Sequence, residues 1–343
     1  MIKTLVVEDS GLMRILITDI LKSDKSISEV QTANNGFEAM QKVRSYQPDV
    51  IVTDMVMPEY DGLYLVKEVM KDSPKPIIVL SSLDRTNAQI FDALKYGAFE
   101  FVDKPKNGEG FKTNGYYPLV DLVKEAAKIN VQSLITKSIR RNNLAHTFQE
   151  KLNYDIVVIG SSTGGPGAIE CLLEGFPANF PVPIVIAQHM PERFIESFAV
   201  RINGYTPLNV SIPRKGQPLE PGHIYIAPGT KNIMINRSPI SNTPLFSFTS
   251  RHYKEFNNPS VDCLFESVSE TYKERALCVV LTGMGKDGTQ GLSKIKANKG
   301  YAIVQDEKSS VVFGMPKAAL DAGLVDNVVP IKEMAGFITS CLC

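Results

Sequence analysis

Short β-branched runs alternate with stretches whose apolar residues recur at three- and four-residue steps through the first 130 residues. The runs are "IKTLVV", "ISEVQTA", "DVIVTD", "PIIVLSS" and "FEFVDKP", and Leu12 to Leu21 carries the helical spacing between the first two. Five strands alternating with helices predict a doubly wound, five-stranded parallel sheet. From Val131 to Asn153 the pattern changes: "VQSLITKSIRRNNLAHTFQEKLN" is polar, carries no strand signal and lacks both proline and glycine. That composition predicts a partly helical linker rather than a floppy one. The rhythm resumes at Tyr154, with strands predicted at Asp155 to Ile159, Pro183 to Ala187, His223 to Ala227, Ala276 to Leu281, Tyr301 to Val304 and Val325 to Val329. The second half is therefore also α/β, with a mostly parallel sheet. The division is residues 1–130, a linker at 131–153, and residues 154–343, with no internal repeat and no low-complexity segment.

Length and charge narrow the function classes. At 343 residues the chain is long enough for two complete cores. Lysine plus arginine equals aspartate plus glutamate at 37 each, which removes the long-range field that would draw the molecule onto nucleic acid or anionic lipid. The apolar run before Glu8 and Asp9 is too short for a secretory signal, and no run approaches the roughly 18 apolar residues of a membrane span. A cytoplasmic protein without membrane insertion is expected. Cys171, Cys263, Cys278, Cys341 and Cys343 are odd in number and scattered, so neither a disulfide nor a metal framework is implied.

Parallel sheets bind ligands beyond the carboxyl ends of their strands, so the residues closing each run matter most. In the first half, strand one ends in Glu8 and Asp9, strand three in Asp54, strand four in Ser81 and Ser82, and strand five leads to Lys104. Acidic residues also favour turns, which could explain any one of these positions. Three carboxylates converging on one rim, however, repel unless a cation shares them, and an all-oxygen set suits Mg2+. With Asp54 as nucleophile toward a phosphoryl group, the metal and Lys104 would neutralise charge on the transferring oxygens, and a serine hydroxyl would bond the product. "VVEDS", "VTDMVMPEYDGL", "VLSS" and "FVDKP" together resemble the receiver domain of two-component response regulators over residues 1 to about 125. The resemblance implies that Asp54 is the phospho-acceptor, that Glu8, Asp9, Asp54 and the Val56 carbonyl bind Mg2+, and that Lys104 contacts the phosphoryl group. Ser81 fits the switch hydroxyl, with Ser82 as the alternative register, and Phe101 fits the aromatic switch position.

In the second half, "GSSTG" fits G-x-S-x-G centred on Ser162, between the strand "YDIVVI" and a helical stretch from Pro166. That context places a hydroxyl on a tight strand-to-helix elbow, where it needs a base to become nucleophilic. His189 follows the run "PIVIAQ" and lies at a strand end; His223 falls at a strand start on the opposite rim, and His252 lies in a loop. His189 is therefore the favoured base. "ALCVVLTGMGKDGTQGL" offers Asp287 beyond a further strand, as the orienting carboxylate or as a helix cap, and backbone N–H groups around Met284 could face an oxyanion. The chain order Ser162, His189, Asp287 differs from that of α/β-hydrolases.

"IGSSTGG", "QHMPERF", "YIAPG", "PSVDCLFESV" and "LTGMGKDG" together resemble the catalytic domain of the chemotaxis protein-glutamate methylesterases, the CheB family, from about Tyr154 nearly to the carboxyl end. The resemblance implies a serine hydrolase that removes methyl groups from glutamates on the cytoplasmic helices of chemoreceptors, releases methanol, and can deamidate receptor glutamines. It implies no cofactor for hydrolysis, a chemotaxis histidine kinase as phosphodonor, and an unphosphorylated receiver that packs over the cleft. Two positions depart from the pattern: Ser161 stands where an alanine is expected, and Asn232 where a histidine is expected. A DNA-binding regulator would need a helix-turn-helix and a basic face, and only "KSIRRNN" is basic. A nucleotide-binding domain is disfavoured because "GSSTGGPG" lacks both G-x-G-x-x-G and the Walker lysine.

Overall fold

The computed structural model describes residues 1–81, 87–104, 118–134, 147–148, 151–254 and 258–343. The chain divides into two compact units, Met1–Thr136 and Lys137–Cys343. The polar stretch 131–153 straddles this division; it opens with a 3-10 turn at Val131–Leu134, and most of the remainder lies outside the described residues.

The first unit runs β1 (Ile2–Val7), α1 (Gly11–Lys22), β2 (Ile27–Ala33), α2 (Gly36–Tyr46), β3 (Val50–Asp54), α3 (Gly62–Asp72), β4 (Ile77–Ser81), α4 (Asn87–Lys95), β5 (Glu100–Asp103) and α5 (Pro118–Ala126). All pairs are parallel, in the order β2-β1-β3-β4-β5. β3 and β4 are buried along their whole length, which is why they read as continuous apolar runs, whereas the edge strand β2 alternates with polar residues. Helix starts are set locally: Ser10, Asn35 and Asp61 each accept a hydrogen bond from an N–H in the first turn of α1, α2 and α3. The strand order reverses between β1 and β3, and pairing of Val7 with Thr53 brings Glu8 level with Asp54 at that crevice.

The second unit repeats the scheme on a larger scale. It contains β6 (Ile156–Ser161), α6 (Gly165–Leu173), β7 (Ile184–Gln188), α7 (Glu192–Asn203), β8 (Asn209–Ser211), β9 (His223–Ile226), β10 (Asn232–Arg237) and β11 (Pro244–Thr249). It continues with α8 (Val261–Tyr272), β12 (Ala276–Val280), α9 (Thr289–Ala297), β13 (Tyr301–Gln305), α10 (Met315–Asp321), β14 (Asn327–Val329) and α11 (Ile331–Cys341). Seven strands form a parallel sheet in the order β14-β13-β12-β6-β7-β9-β8, and β10 and β11 form a separate antiparallel hairpin. β8 and the hairpin are not expected from the sequence, and β14 begins two residues later than Val325.

β6 is the switch strand of this sheet, because the chain leaves it toward β7 and β9 on one side and later fills β12, β13 and β14 on the other. Gly160 pairs with Ala187 of β7 and with Val280 of β12, so the residues just beyond these three strands share one edge. The core beneath that edge includes Val158, Val185, Tyr225, Val261, Leu264, Phe265, Cys278 and Val304. The α8 helix and the hairpin are tied together by the Ile235 N–H, which donates to Ser267 Oγ at 3.1 Å, and by Thr271 Oγ1, which donates to the Ile235 carbonyl at 2.7 Å.

Candidate active site

Ser162 leaves β6 at the switch point. Its N–H donates to the Thr282 carbonyl at 3.0 Å, while the His189 N–H donates to the Ser161 carbonyl at 3.0 Å. These two rungs extend the ladder one residue past the regular strands and set the backbones of Ser162, His189 and Thr282 side by side. Gly283 lies against Ser162: a Cβ built there would sit 2.8 Å from Ser162 Cβ and 2.3 Å from Met315 Sδ, so only glycine lets the turn approach the serine. The Gly283 carbonyl accepts from the Gly314 and Met315 N–H groups at 3.1 and 2.8 Å. In a trans peptide the N–H opposes the carbonyl, so the Met284 N–H points away from these donors.

His189 Nε2 lies 2.8 Å from Asp287 Oδ2, and both side chains are almost fully buried. Asp287 is an unusually well supplied anion. Its oxygens accept from the backbone N–H groups of Val261 (2.7 Å), Asp262 (2.9 Å) and Gly288 (3.0 Å) and from Ser260 Oγ (3.2 Å). Burial alone would raise its pKa, but His189 and the N–H groups of Asp262 and Val261 outweigh it and hold the carboxyl below the usual aspartate range. A carboxylate fixed on Nε2 leaves Nδ1 as the proton-accepting nitrogen of a neutral imidazole.

In the first unit, Glu8, Asp9 and Asp54 each place a carboxylate oxygen within 4.8 Å of the others. Lys104 Nζ lies 2.7 Å from both Glu8 Oε2 and Asp54 Oδ2. One ammonium does not balance this cluster: burial, offset only in part by Lys104, pushes the carboxyl groups of Glu8 and Asp54 above their usual values. Asp54 Oδ1 is buried and takes no hydrogen bond from the described residues. An orphaned carboxylate oxygen among two further acids is the donor set a hard divalent cation would satisfy. Val56 is half exposed beside it, Ser81 is buried at the end of β4, and Phe101 is buried on β5; Ser82 lies outside the described residues.

Each unit matches a known protein family. The CheB methylesterase family matches residues 157–338, and the response regulator receiver domain family matches residues 4–113. A protein-glutamate methylesterase/protein-glutamine glutaminase of Thermotoga maritima is 37% identical over 336 residues, covering 97% of this chain and 96% of the relative. The chain belongs to the CheB methylesterase family. A second relative with that description, from Halalkalibacterium halodurans, is 38% identical over 340 residues, covering 98% of this chain and 97% of its own length. The crystal structure of the Thermotoga maritima CheB methylesterase catalytic domain superposes with a TM-score of 0.53 at 37% identity, covering 55% of this chain and 99% of that one.

The remaining histidines of this CheB-family domain lie elsewhere. His223 opens β9, at the amino edge of the sheet, where its Nε2 lies 2.8 Å from Ser211 Oγ and it stacks on Tyr225; burial lowers its pKa. His252 is exposed in the loop after β11. Asn232, the second departure from the family pattern, is buried. Its Oδ1 accepts from the N–H groups of Asn258 and Ser260 at 3.0 and 2.6 Å, and its Nδ2 donates to the Arg251 carbonyl at 3.0 Å. It thus holds the loop that delivers Ser260, Val261 and Asp262 to Asp287. Ser260, Asp262 and Gln188 fall within sequence motifs that assign them no contact. Their signals are an N-cap serine before α8 and polar residues inside apolar runs, but the partners lie 25 to 27 residues away in the chain.

Proposed function

We propose that Ser162 is the nucleophile, His189 its base and Asp287 the orienting carboxylate of a protein-glutamate methylesterase acting on chemoreceptors. Ser162 Oγ attacks the carbonyl carbon of a glutamate methyl ester as His189 Nδ1 takes its proton. The oxyanion forms against the Met284 N–H, and collapse expels methoxide, which takes the proton from His189 and leaves as methanol. Water then attacks the acyl-enzyme by the same route and frees the glutamate carboxylate and Ser162. An amide can enter the same sequence with ammonia leaving, so receptor glutamines are substrates as well, as the relatives' descriptions include glutaminase activity. The observation that carries this reading is the 2.8 Å contact between His189 and a well partnered, ionised Asp287 beside the switch strand β6, just past which Ser162 lies. Relative to the familiar triad in which Nδ1 faces the acid, the imidazole works with its nitrogens exchanged.

The first unit supplies control. Asp54 accepts a phosphoryl group from a chemotaxis histidine kinase, and Lys104 and Ser81 bond the phosphoryl oxygens, with Phe101 responding to Ser81. Glu8, Asp9, Asp54 and the Val56 carbonyl would hold Mg2+, which when bound supplies positive charge to the transferring oxygens. Catalysis by the second unit needs no metal or organic cofactor in this scheme, and the protein works in the cytoplasm, where receptor helices and kinase are met.

Methanol release from methylated receptor tests the assignment. Ser162→Ala abolishes hydrolysis while Ser161→Ala retains it; the reverse result would overturn the elbow. A small phosphodonor raises the rate of the wild-type chain, and equal rates with and without it reject control by the receiver.

A further inference from the structure

Past the last rung of the β6–β7 ladder, the carbonyls of Ser162 and His189 face a common space, and two acceptors cannot bond each other. Gln188 resolves the conflict. Its Nε2 donates to the Ser162 carbonyl at 3.0 Å and to the His189 carbonyl at 2.9 Å. Its Oε1 then faces the other way and accepts from Ser161 Oγ at 2.6 Å. The amide orientation follows from the chemistry: two carbonyl acceptors require the NH2 group, which leaves the carboxamide oxygen to accept from the Ser161 hydroxyl. Gln188 and Ser161 are 2% and 0% exposed, and a Cβ at Gly165 would fall 2.0 Å from Gln188 Oε1, so the amide is also confined by the start of α6.

We infer that Gln188, oriented by Ser161, is a positioning residue that sets the separation of nucleophile and base by clamping the backbone carbonyls of Ser162 and His189. The inference rests on the Ser162–His189 reading above. It also gives Ser161 a task of its own: the hydroxyl that departs from the family pattern is turned away from catalysis and orients the clamp. The Ser162 carbonyl also accepts from the Gly165 N–H at 2.7 Å, so the clamp ties the start of α6 as well as His189 to the nucleophile's backbone. An error of about 1 Å in the approach of the reacting groups lowers a rate roughly 100-fold, which scales the effect of losing the clamp.

The test uses the full chain with methylated receptor as substrate and a fluorophosphonate as a probe of Ser162. Gln188→Leu lowers kcat by about 10- to 100-fold with KM within about twofold, and phosphonate labelling slows in parallel. Ser161→Ala alone costs a few-fold. The double variant Ser161→Ala/Gln188→Leu removes the orphaned hydroxyl and recovers Tm relative to Gln188→Leu, yet kcat stays low. Wild-type kcat in folded Gln188→Leu, or kcat that recovers together with Tm in the double variant, overturns the clamp. Should Gln188→Leu fail to fold, Gln188→Met keeps the side-chain length and is read in the same way. Labelling that persists in Ser162→Ala would instead sink the underlying active-site reading, so the two failures are distinct.

Discussion

Each half of the molecule places a buried aspartate at the switch point of a parallel sheet, and the two aspartates are treated in opposite ways. Asp287 receives three backbone N–H groups, a serine hydroxyl and an imidazole, and its carboxyl is held below the usual range. Asp54 receives one ammonium and the Val56 N–H, shares its rim with Glu8 and Asp9, keeps one oxygen without a hydrogen bond, and is pushed above the usual range. Burial is nearly equal, so burial does not decide the outcome; the number of donors does. A saturated carboxylate is a fixed anion against which an imidazole can be oriented. An undersaturated one is free to take a cation and to react. On the proposed assignment, the same fold-level position serves as scaffold in one unit and as reactive group in the other.

The largest effect should come from removing the charge of the saturated aspartate. Asp287→Asn places an NH2 where backbone N–H groups already point and deprives His189 of the anion that fixes its tautomer. A loss of about 10^4 in kcat is expected, as for the equivalent change in other triads. Methanol release measures it. A loss below about tenfold would mean that Asp287 acts only as a cap for the turn before α9.

The undersaturated aspartate should respond with the opposite sign in stability. A raised folded-state pKa contributes stability below the usual carboxylate value that is lost as pH rises through the folded value; at neutral pH the ionised Asp54 is therefore a burden on the metal-free chain. Asp54→Asn raises the metal-free Tm at about pH 7.5 by a few degrees and abolishes acyl-phosphate formation. In the wild type, Mg2+ at about 100 times its Kd supplies roughly 2.7 kcal/mol, a gain that Asp54→Asn largely loses. A Tm unchanged by Mg2+ in the wild type would contradict the reading of the acidic cluster as its site.

How much of this was legible in the sequence depends on where each partner lies. Strand ends are local features, so Asp54, Ser162, His189 and Asp287 can be found from apolar runs that stop at polar residues, and the structure brings the last two into contact. Fully buried strands such as β3, β6 and β12 announce themselves as unbroken apolar runs. The hairpin escapes notice because Met234 breaks the polar alternation around Ile233 and Ile235 and the run is short. The donors around Asp287 are invisible for another reason: Ser260, Val261 and Asp262 reach it through a loop shaped by Asn232, and no periodicity encodes such long-range hydrogen bonds. Asn232 stands out in the sequence only as a departure from the family pattern; buried and bonded as it is, its visible role is to brace the acid.

The smallest predicted effect sharpens the contrast within a single site. Asp262, also buried, accepts from the Gly291 N–H at 2.7 Å, and its own N–H serves Asp287. Burial, together with the neighbouring charge of Asp287, raises its pKa to about 7 despite the Gly291 N–H. Two carboxylates in contact do not both ionise readily, and the better supplied one keeps the charge. For a raised acid, stability is complete below the usual aspartate value and declines as pH climbs through the folded value. A carboxamide has no proton to lose, so Asp262→Asn should gain stability over wild type as pH rises from about 5.5 to about 8, by on the order of 1–2 kcal/mol or several degrees of Tm. The substituted side chain keeps an acceptor for the Gly291 N–H, and the backbone N–H at this position still serves Asp287, so any gain reflects charge rather than packing. A Tm difference that is flat across this range would show that Asp262 is ionised beside Asp287, and that donor supply does not by itself decide which buried acid carries the charge.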